Sequence, residues 1–78
     1  MTDLAPQSTT AKIAADLRDR IADLRPGGKL GAERELAERY EVTRGTMKAA
    51  LGLLVQEGLV IPLQGRGYFR REYALLDW

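Results

Sequence analysis

Residues 33–58 of this 78-residue chain read ERELAERYEVTRGTMKAALGLLVQEG, and this stretch decides the fold. Apolar side chains at Leu36, Ala37 and Tyr40 share one face of a helix predicted over residues 33–40. After a tight connection, Thr43 offers an N-cap hydroxyl for a further helix over residues 44–57, and Gly58 marks its end. Two helices joined by so short a turn predict a helix-turn-helix.

The second of these helices has a buried stripe and an unusually small opposite face. Its stripe consists of Met47, Ala50, Leu51 and Leu54. The opposite face contains Gly45, Lys48, Ala49, Gly52, Leu53 and Gln56, with Arg44 at one margin. Glycine inside a helix costs ~1 kcal/mol relative to alanine, so two glycines require a reason. One reason is entry into the major groove of DNA. A close helix–helix contact in a dimer, or tolerance of glycine in a GC-biased genome, are the alternatives.

The flanking sequence completes a fold that is mainly α. Ile13, Leu17, Ile21 and Leu24 recur at helical spacing and predict a first helix over residues 9–24, followed by a loop that contains Leu30. Residues 59–63 and 68–71 predict two strands around the turn Gln64-Gly65-Arg66-Gly67. The expected fold is a three-helix winged helix-turn-helix with a C-terminal β-hairpin wing. Its predicted core consists of Ile13, Leu17, Ile21, Leu36, Val42, Met47, Leu51, Leu54 and Phe69.

The chain divides into three predicted segments. Residues 1–8 form a flexible N-terminal arm, residues 9–71 the winged helix-turn-helix domain, and residues 72–78 an apolar C-terminal tail. The tail contains Tyr73, Leu75, Leu76 and Trp78. It either folds back on the core or pairs with a second copy.

Positive charge is concentrated in the second half of the domain, although the net charge is only +1. Residues 42–71 carry five basic side chains against Glu57 alone. These are Arg44, Lys48, Arg66, Arg70 and Arg71. This asymmetry suits a polyanionic partner, and a solvated basic face explains it equally well. At the predicted hairpin tip, Gly65 and Gly67 would let the backbone approach a phosphate while Arg66 supplies charge. The alternative is an ordinary hairpin turn with an exposed arginine.

Several classes of function are disfavoured by what the sequence lacks. There is no cysteine or histidine, so disulfides and His/Cys metal sites are excluded. No paired carboxylates are visible, so we expect no catalytic residues, no metal, no cofactor and no enzyme activity. No apolar run approaches the roughly 20 residues of a membrane span, and we expect a soluble cytoplasmic protein. The competing class is a winged-helix protein-interaction adaptor without sequence-specific DNA binding, favoured by Leu53, Val55 and the apolar tail.

The whole pattern resembles the N-terminal domain of GntR-type bacterial transcriptional regulators over residues 9–70. The residues that carry it are Gly28-Lys29-Leu30, Glu33-Arg34-Glu35-Leu36-Ala37, Val42-Thr43-Arg44, Ala50-Leu51, Leu54, Glu57-Gly58-Leu59-Val60 and Gly65-Arg66-Gly67-Tyr68-Phe69. The resemblance implies a repressor that binds pseudo-palindromic double-stranded DNA operators as a homodimer. It also implies DNA contacts at Arg34, Thr43, Arg44, Thr46, Gly65, Arg66 and Gly67, to which we add Gly45 and Lys48 on the same helix.

The sequence departs from the family pattern at several positions. Gly31-Ala32 replaces a usual Pro-Ser pair, which removes the hydroxyl cap of the helix at 33–40. Gly45 replaces a usual Ser or Thr, and Lys48 stands where arginine is common. Since lysine lacks the bidentate fork of arginine, we expect Lys48 to contact phosphate. The family usually carries a C-terminal domain for ligand binding and dimerisation, so this is either an excised domain or a stand-alone regulator, and its effector is unknown.

Overall fold

The computed structural model describes residues 8–72, which form three helices and a small sheet. The elements are α1 (Thr9–Ala22), β1 (Lys29–Gly31), α2 (Glu33–Tyr40), α3 (Arg44–Gln56), β2 (Val60–Leu63) and β3 (Gly67–Arg70). The predicted winged helix-turn-helix is therefore confirmed. The predicted arm and tail lie outside the described residues, apart from Ser8 and Glu72. None of the helices within residues 8–72 combines the length and apolar character needed to cross a membrane.

The helices begin where the sequence offers acceptors for their first N–H groups. The Ser8 hydroxyl accepts a hydrogen bond from the Ala11 N–H (3.0 Å), and Thr43 does the same for α3. At the start of α2, Ala32 has no hydroxyl, as predicted. Instead the Glu35 carboxylate accepts from the Ala32 N–H (3.2 Å), so only one half of a capping box forms.

The sheet has one strand more than the sequence predicted. Residues 29–31, expected as a loop around Leu30, form β1, and the strand order is β1-β3-β2 with both pairs antiparallel. A three-residue strand with one apolar side chain carries no alternation that a sequence pattern could reveal. The extra strand gives the hairpin the third partner that an isolated pair of strands needs for stability.

The core lies between the three helices and the inner face of the sheet. Its buried residues are Ile13, Ala14, Leu17, Ile21, Leu36, Ala37, Met47, Ala50, Leu51, Leu54 and Val60. The burial of Leu51 and Leu54 confirms the helical wheel on which the assignment of the exposed face depends.

Two predicted core residues, Val42 and Phe69, are only partly buried. Val42 packs against the core from the turn between α2 and α3. Phe69 pairs directly with Ile61 across the hairpin, whereas its neighbour Tyr68 packs against the core. Since successive side chains in a strand point to opposite faces, Phe69 lies on the outer face of the sheet. The prediction of a buried Phe69 was wrong because the alternation of side chains along a strand does not show which face of the sheet packs against the helices.

Candidate nucleic-acid interface

A basic cleft of about 590 Å³ separates the starts of α2 and α3 from the hairpin. Five of the nine predicted DNA-binding residues line this cleft, namely Arg34, Arg44, Gly65, Arg66 and Gly67. The other four, Thr43, Gly45, Thr46 and Lys48, lie at the N-cap and in the first turns of α3, outside the cleft lining. The fold therefore gathers residues from three separate stretches of the chain on one side of the molecule.

Arg44 is held by a carboxylate of the neighbouring helix α2. Its Nε and Nη2 atoms each lie 3.4 Å from Oε1 of Glu33, which comes from the first position of α2. The side chain of Arg44 is 68% exposed and that of Glu33 only 22% exposed. Glu33 therefore anchors one edge of the guanidinium while its remaining N–H groups face solvent, which is a suitable arrangement for a bidentate contact.

The other arginine of this region, Arg34, is paired more loosely. Its Nε lies 3.6 Å from Oε2 of Glu38 one turn along α2, and both side chains are about three-quarters exposed. An exposed pair of this kind contributes little to stability. Arg34 can therefore leave Glu38 for a phosphate or a base at low cost.

At the start of α3, the side chain of Thr43 forms two hydrogen bonds with Thr46. The Thr43 hydroxyl accepts from the Thr46 N–H and donates to the Thr46 Oγ1, both at 3.1 Å. These contacts cap the helix and fix the Thr46 hydroxyl against that of Thr43. The predicted contact residues Thr43 and Thr46 thus also have a structural function.

The small residues of α3 lie on an open surface. A Cβ added at Gly45 would meet only the Thr43 hydroxyl oxygen, at 3.9 Å, and one added at Gly52 would meet nothing within 4 Å. Lys48 and Ala49 are exposed on the same helix. Within residues 8–72, packing therefore gives no reason for glycine at positions 45 and 52.

The two glycines of the wing differ in their surroundings. Gly65 has φ +78° in the turn closed by the hydrogen bond from the Arg66 N–H to the Leu63 carbonyl (2.8 Å), and a Cβ there would meet open space. Gly67 has φ +115°, and its Cβ would lie 2.8 Å from the Gly31 carbonyl oxygen. Packing of β3 against β1 thus requires glycine at 67, whereas at 65 the requirement is the turn conformation alone.

Three residues of the cleft were missed at the level of sequence. Lys29 of β1 lines the cleft and adds a cation. Glu33 adds the carboxylate described above. Tyr68 also lines the cleft, and burial, with a smaller contribution from the charge of Glu33, raises the pKa of Tyr68 above its ordinary value. Strand β1 was not predicted, so nothing in the sequence indicated that Lys29 would reach this side.

Two residues counted in the basic cluster are placed elsewhere. Arg70 donates from Nη1 to the carbonyls of Ile21 (3.1 Å), Ala22 (3.4 Å) and Leu24 at the end of α1. It therefore places a cation against carbonyls at and just beyond the end of α1, where positive charge interacts favourably with the helix dipole. Arg71 borders grooves on the other side of the hairpin and does not line the cleft. The cations that line the cleft are therefore Lys29, Arg34, Arg44 and Arg66, and Lys48 lies on α3 outside the lining. Among the described residues, no group of three or more carboxylates is arranged to hold a metal ion.

An exposed helix of small and basic residues, preceded by a tight turn and followed by a glycine-tipped hairpin, defines the winged helix-turn-helix class of domain. Within that class, the chain belongs to the gntR family of bacterial regulatory proteins, whose family model matches residues 9–69.

Curated relatives of this domain are transcriptional regulators. The chain is 47% identical over 60 residues to the HTH-type transcriptional repressor NagR of Bacillus subtilis. The matched region covers 74% of this chain and 25% of NagR. It is 39% identical over 66 residues to the HTH-type transcriptional regulator Rv0792c of Mycobacterium tuberculosis, covering 82% of this chain and 24% of the relative. The chain therefore spans about a quarter of these relatives.

Solved structures share the fold over most of the chain. AraR(DBD) in complex with operator ORE1 superposes with a TM-score of 0.81 at 28% identity, covering 90% of this chain and 88% of that one. The possible transcriptional regulator YydK from Bacillus subtilis superposes with a TM-score of 0.78 at 28% identity, covering 90% of this chain and 32% of the other.

Proposed function

We propose that this chain is a sequence-specific double-stranded DNA-binding domain of a bacterial repressor that acts on pseudo-palindromic operators as a homodimer. The observation that carries the proposal is the cleft between α3 and the wing, on which Lys29, Arg34, Arg44 and Arg66 converge. A polyanion such as the phosphate backbone is the partner that such a convergence of cations favours. The relatives named as repressors support the regulatory part of the proposal.

The proposed docking places α3 in the major groove. Gly45 and the small residues after it let the helix backbone approach base edges closely. Arg44 reads a guanine through its free N–H groups, and the Thr43 and Thr46 hydroxyls contact phosphate or base edges at the helix start. Lys48 contacts a phosphate as a point charge.

The remaining contacts come from α2 and the wing. Arg34, which is only weakly held by Glu38, binds a phosphate or a base at the edge of the groove. Arg66 reaches the backbone or the adjacent minor groove from the wing tip, with Gly65 and Gly67 allowing close approach. This function requires no enzyme activity, and a regulator of chromosomal operators acts in the bacterial cytoplasm.

The test is selection of bound sequences from a random DNA pool, followed by affinity measurements on the selected and a scrambled duplex across a salt series. We expect tighter binding to the selected site, with an affinity that falls linearly with salt on logarithmic axes. Equal and salt-insensitive affinities would contradict the proposal and favour the adaptor. Of the two helix residues that favoured the adaptor, Val55 packs partly buried against the core and Leu53 is exposed, at 37%.

A further inference from the structure

Tyr68 is a polar side chain of the cleft that the proposed docking leaves without a function. It follows Gly67 in β3, at the base of the wing, and it lines the cleft. Its ring packs, partly buried, against the core. The residues paired with it on the two neighbouring strands, Gly31 and Pro62, have no long side chain that could cover it. The ring is therefore fixed by packing, while the part that lines the cleft stays open.

The hydroxyl of Tyr68 lies near Glu33, and its proton has no acceptor among the described residues. Burial, and after it the charge of Glu33, raises the pKa of the Tyr68 phenol. Since the effect of a charge falls with distance, the phenol oxygen lies near the Glu33 carboxylate, which also lines the cleft. None of the side-chain hydrogen bonds within residues 8–72 involves the Tyr68 hydroxyl. The raised pKa keeps this hydroxyl protonated at neutral pH, so it can donate to an acceptor from outside the domain.

The docking proposed above brings the DNA backbone to this hydroxyl. With α3 in the major groove and the wing tip at the adjacent minor groove, the sugar-phosphate strand between the two grooves has to cross the cleft. Tyr68 shares the lining of that cleft with Arg44 of α3 and Arg66 of the wing turn. We propose that the Tyr68 hydroxyl donates a hydrogen bond to a phosphate of this strand. The inference rests on the proposed function and adds to it a phosphate contact from the sheet.

A tyrosine contact of this kind differs from an arginine contact in two measurable ways. Every duplex has phosphates along its backbone, so the contact positions the domain without favouring a sequence. The hydroxyl is neutral, so the contact releases no counterion and adds nothing to the salt slope. Tyr68 should therefore strengthen binding by the same factor on all sequences and at all salt concentrations.

The test is Tyr68→Phe, which removes the hydroxyl and keeps the ring that packs against the core. The affinities of the 78-residue protein for the selected and the scrambled duplex are measured across a salt series. We expect both affinities to fall by the same factor, roughly 3- to 10-fold, as for the loss of one hydrogen bond. The salt slope and the ratio of the two affinities should stay at their wild-type values.

The matched control is Tyr40→Phe. Tyr40 also packs, partly buried, against the core, but its hydroxyl donates to Asp16 of α1 and it does not line the cleft. This variant should keep both wild-type affinities. Thermal midpoints of the two variants show whether each is folded under the conditions of the binding measurement.

A second measurement locates the contact from the DNA side, with the wild-type protein as its reference. Single methylphosphonate substitutions, each of which removes the charge and one acceptor oxygen of a phosphate, are placed in turn along the selected duplex. At one position the wild type should lose several-fold more affinity than Tyr68→Phe does, because the variant has already lost that contact. Identical profiles for the two proteins would overturn the inference.

The outcomes separate this contact from the proposed function. Unchanged affinities in Tyr68→Phe, with a wild type that binds as proposed, would overturn the contact alone. A loss confined to the selected duplex would also overturn it, since Tyr68 would then read a base. Absence of salt-dependent DNA binding by the wild type would contradict the proposed function and this contact together.

Discussion

Arg44 and Arg66 differ in their surroundings although both are exposed arginines of the cleft. Arg44 is positioned by Glu33 at the start of α3, whereas Arg66 stands on a turn tip. We expect Arg44→Ala to reduce specific binding far more than non-specific binding, because a bidentate guanine contact gives about 1–3 kcal/mol of discrimination. Arg66→Ala should weaken both and reduce the salt slope by roughly one counterion.

The measurement for this pair is the affinity of each variant for selected and scrambled DNA across a salt series. An unchanged ratio of the two affinities in Arg44→Ala would show that Arg44 does not read a base. The role would then pass to Arg34 and Thr46.

Glu33 is an acidic residue inside a basic cleft, and its removal should have two opposite effects. Glu33→Gln removes a negative charge near the phosphates, so the affinity for scrambled DNA should rise. It also frees Arg44 from its anchor, so the ratio of specific to non-specific affinity should fall.

The control for Glu33→Gln is Glu38→Gln, which removes the same charge from α2 but leaves the contact between Glu33 and Arg44 intact. This control should raise non-specific affinity while changing the ratio less. Equal ratios in the two variants would exclude a positioning role for Glu33.

The arginines also show how much of the site the sequence could reveal. Arg44 and Arg66 could be predicted as candidate contacts because each occupies a definite place in a helix start or a turn, and both line the cleft. Arg70 and Arg71 are adjacent and equally basic, yet Arg70 binds carbonyls at the end of α1 and just beyond it, 46 to 49 residues away. Such a contact depends on how β3 packs against α1, and no local pattern encodes it.

At the scale of elements, the turn between α2 and α3 contains the one non-glycine residue with positive φ among residues 8–72. Glu41 has φ +57° and ψ +46°, and the Val42 N–H beyond it bonds to the Ala37 carbonyl (3.0 Å). The left-handed conformation costs a non-glycine residue roughly 1–2 kcal/mol.

We expect Glu41→Gly to stabilise the domain by up to about 1 kcal/mol, since glycine avoids this strain but loses more backbone entropy on folding. The thermal midpoint of a domain of this size should then rise by a few degrees, measured by calorimetry. A matched Glu38→Gly variant, within α2, should lower it. A lower midpoint for Glu41→Gly would contradict the assigned strain.

The ends of two helices are joined by the Arg18–Glu57 pair. Arg18 Nε and Nη2 lie 2.8 and 2.6 Å from the two carboxylate oxygens of Glu57, and this bidentate contact links α1 to the C-cap of α3. The hydrogen bonds from Arg18 hold the pKa of the Glu57 carboxyl below its usual value. The pair therefore stabilises the fold above the unfolded-state pKa of about 4.3, and its contribution is lost as pH falls through the lower folded-state pKa.

For Glu57→Gln, we expect a small decrease in thermal midpoint at neutral pH that shrinks as pH falls below the ordinary carboxyl pKa of about 4.3 and is lost once pH has fallen through the lowered pKa of the folded-state carboxyl. The matched control is Asp19→Asn on α1, since Asp19 forms none of the ion pairs within residues 8–72. A difference between wild type and Glu57→Gln that persists unchanged at pH 3 would indicate a contribution other than the ion pair.

Elements were predictable in proportion to their length and periodicity. The three helices follow from apolar spacing and caps, although α1 ends at Ala22 and α3 at Gln56, earlier than the predicted residues 24 and 57. Strand β1 is too short for a pattern, and its pairing with β3 joins residues 40 positions apart, Lys29 with Phe69.

At the scale of the whole molecule, we expect a weak monomer–dimer equilibrium in solution and two copies on each operator. Two-fold symmetry then requires half-sites about one helical turn apart, at roughly 10 base pairs. Footprinting and sedimentation of the complex measure the spacing and the stoichiometry. One protein on a single asymmetric half-site would contradict this prediction.

The open face of α3 has a consequence for how this domain can diverge. Gly45, Lys48, Ala49 and Gly52 are exposed, and the core is formed by other residues of the helix. Under the proposed docking, substitutions at Gly45, Ala49 and Gly52 would change which DNA sequence is preferred without reducing folding stability by more than the ordinary cost of a surface change, about 0.5 kcal/mol. A lineage that duplicates this gene could acquire a new operator by altering a few codons, while selection on the fold acts on a separate set of residues.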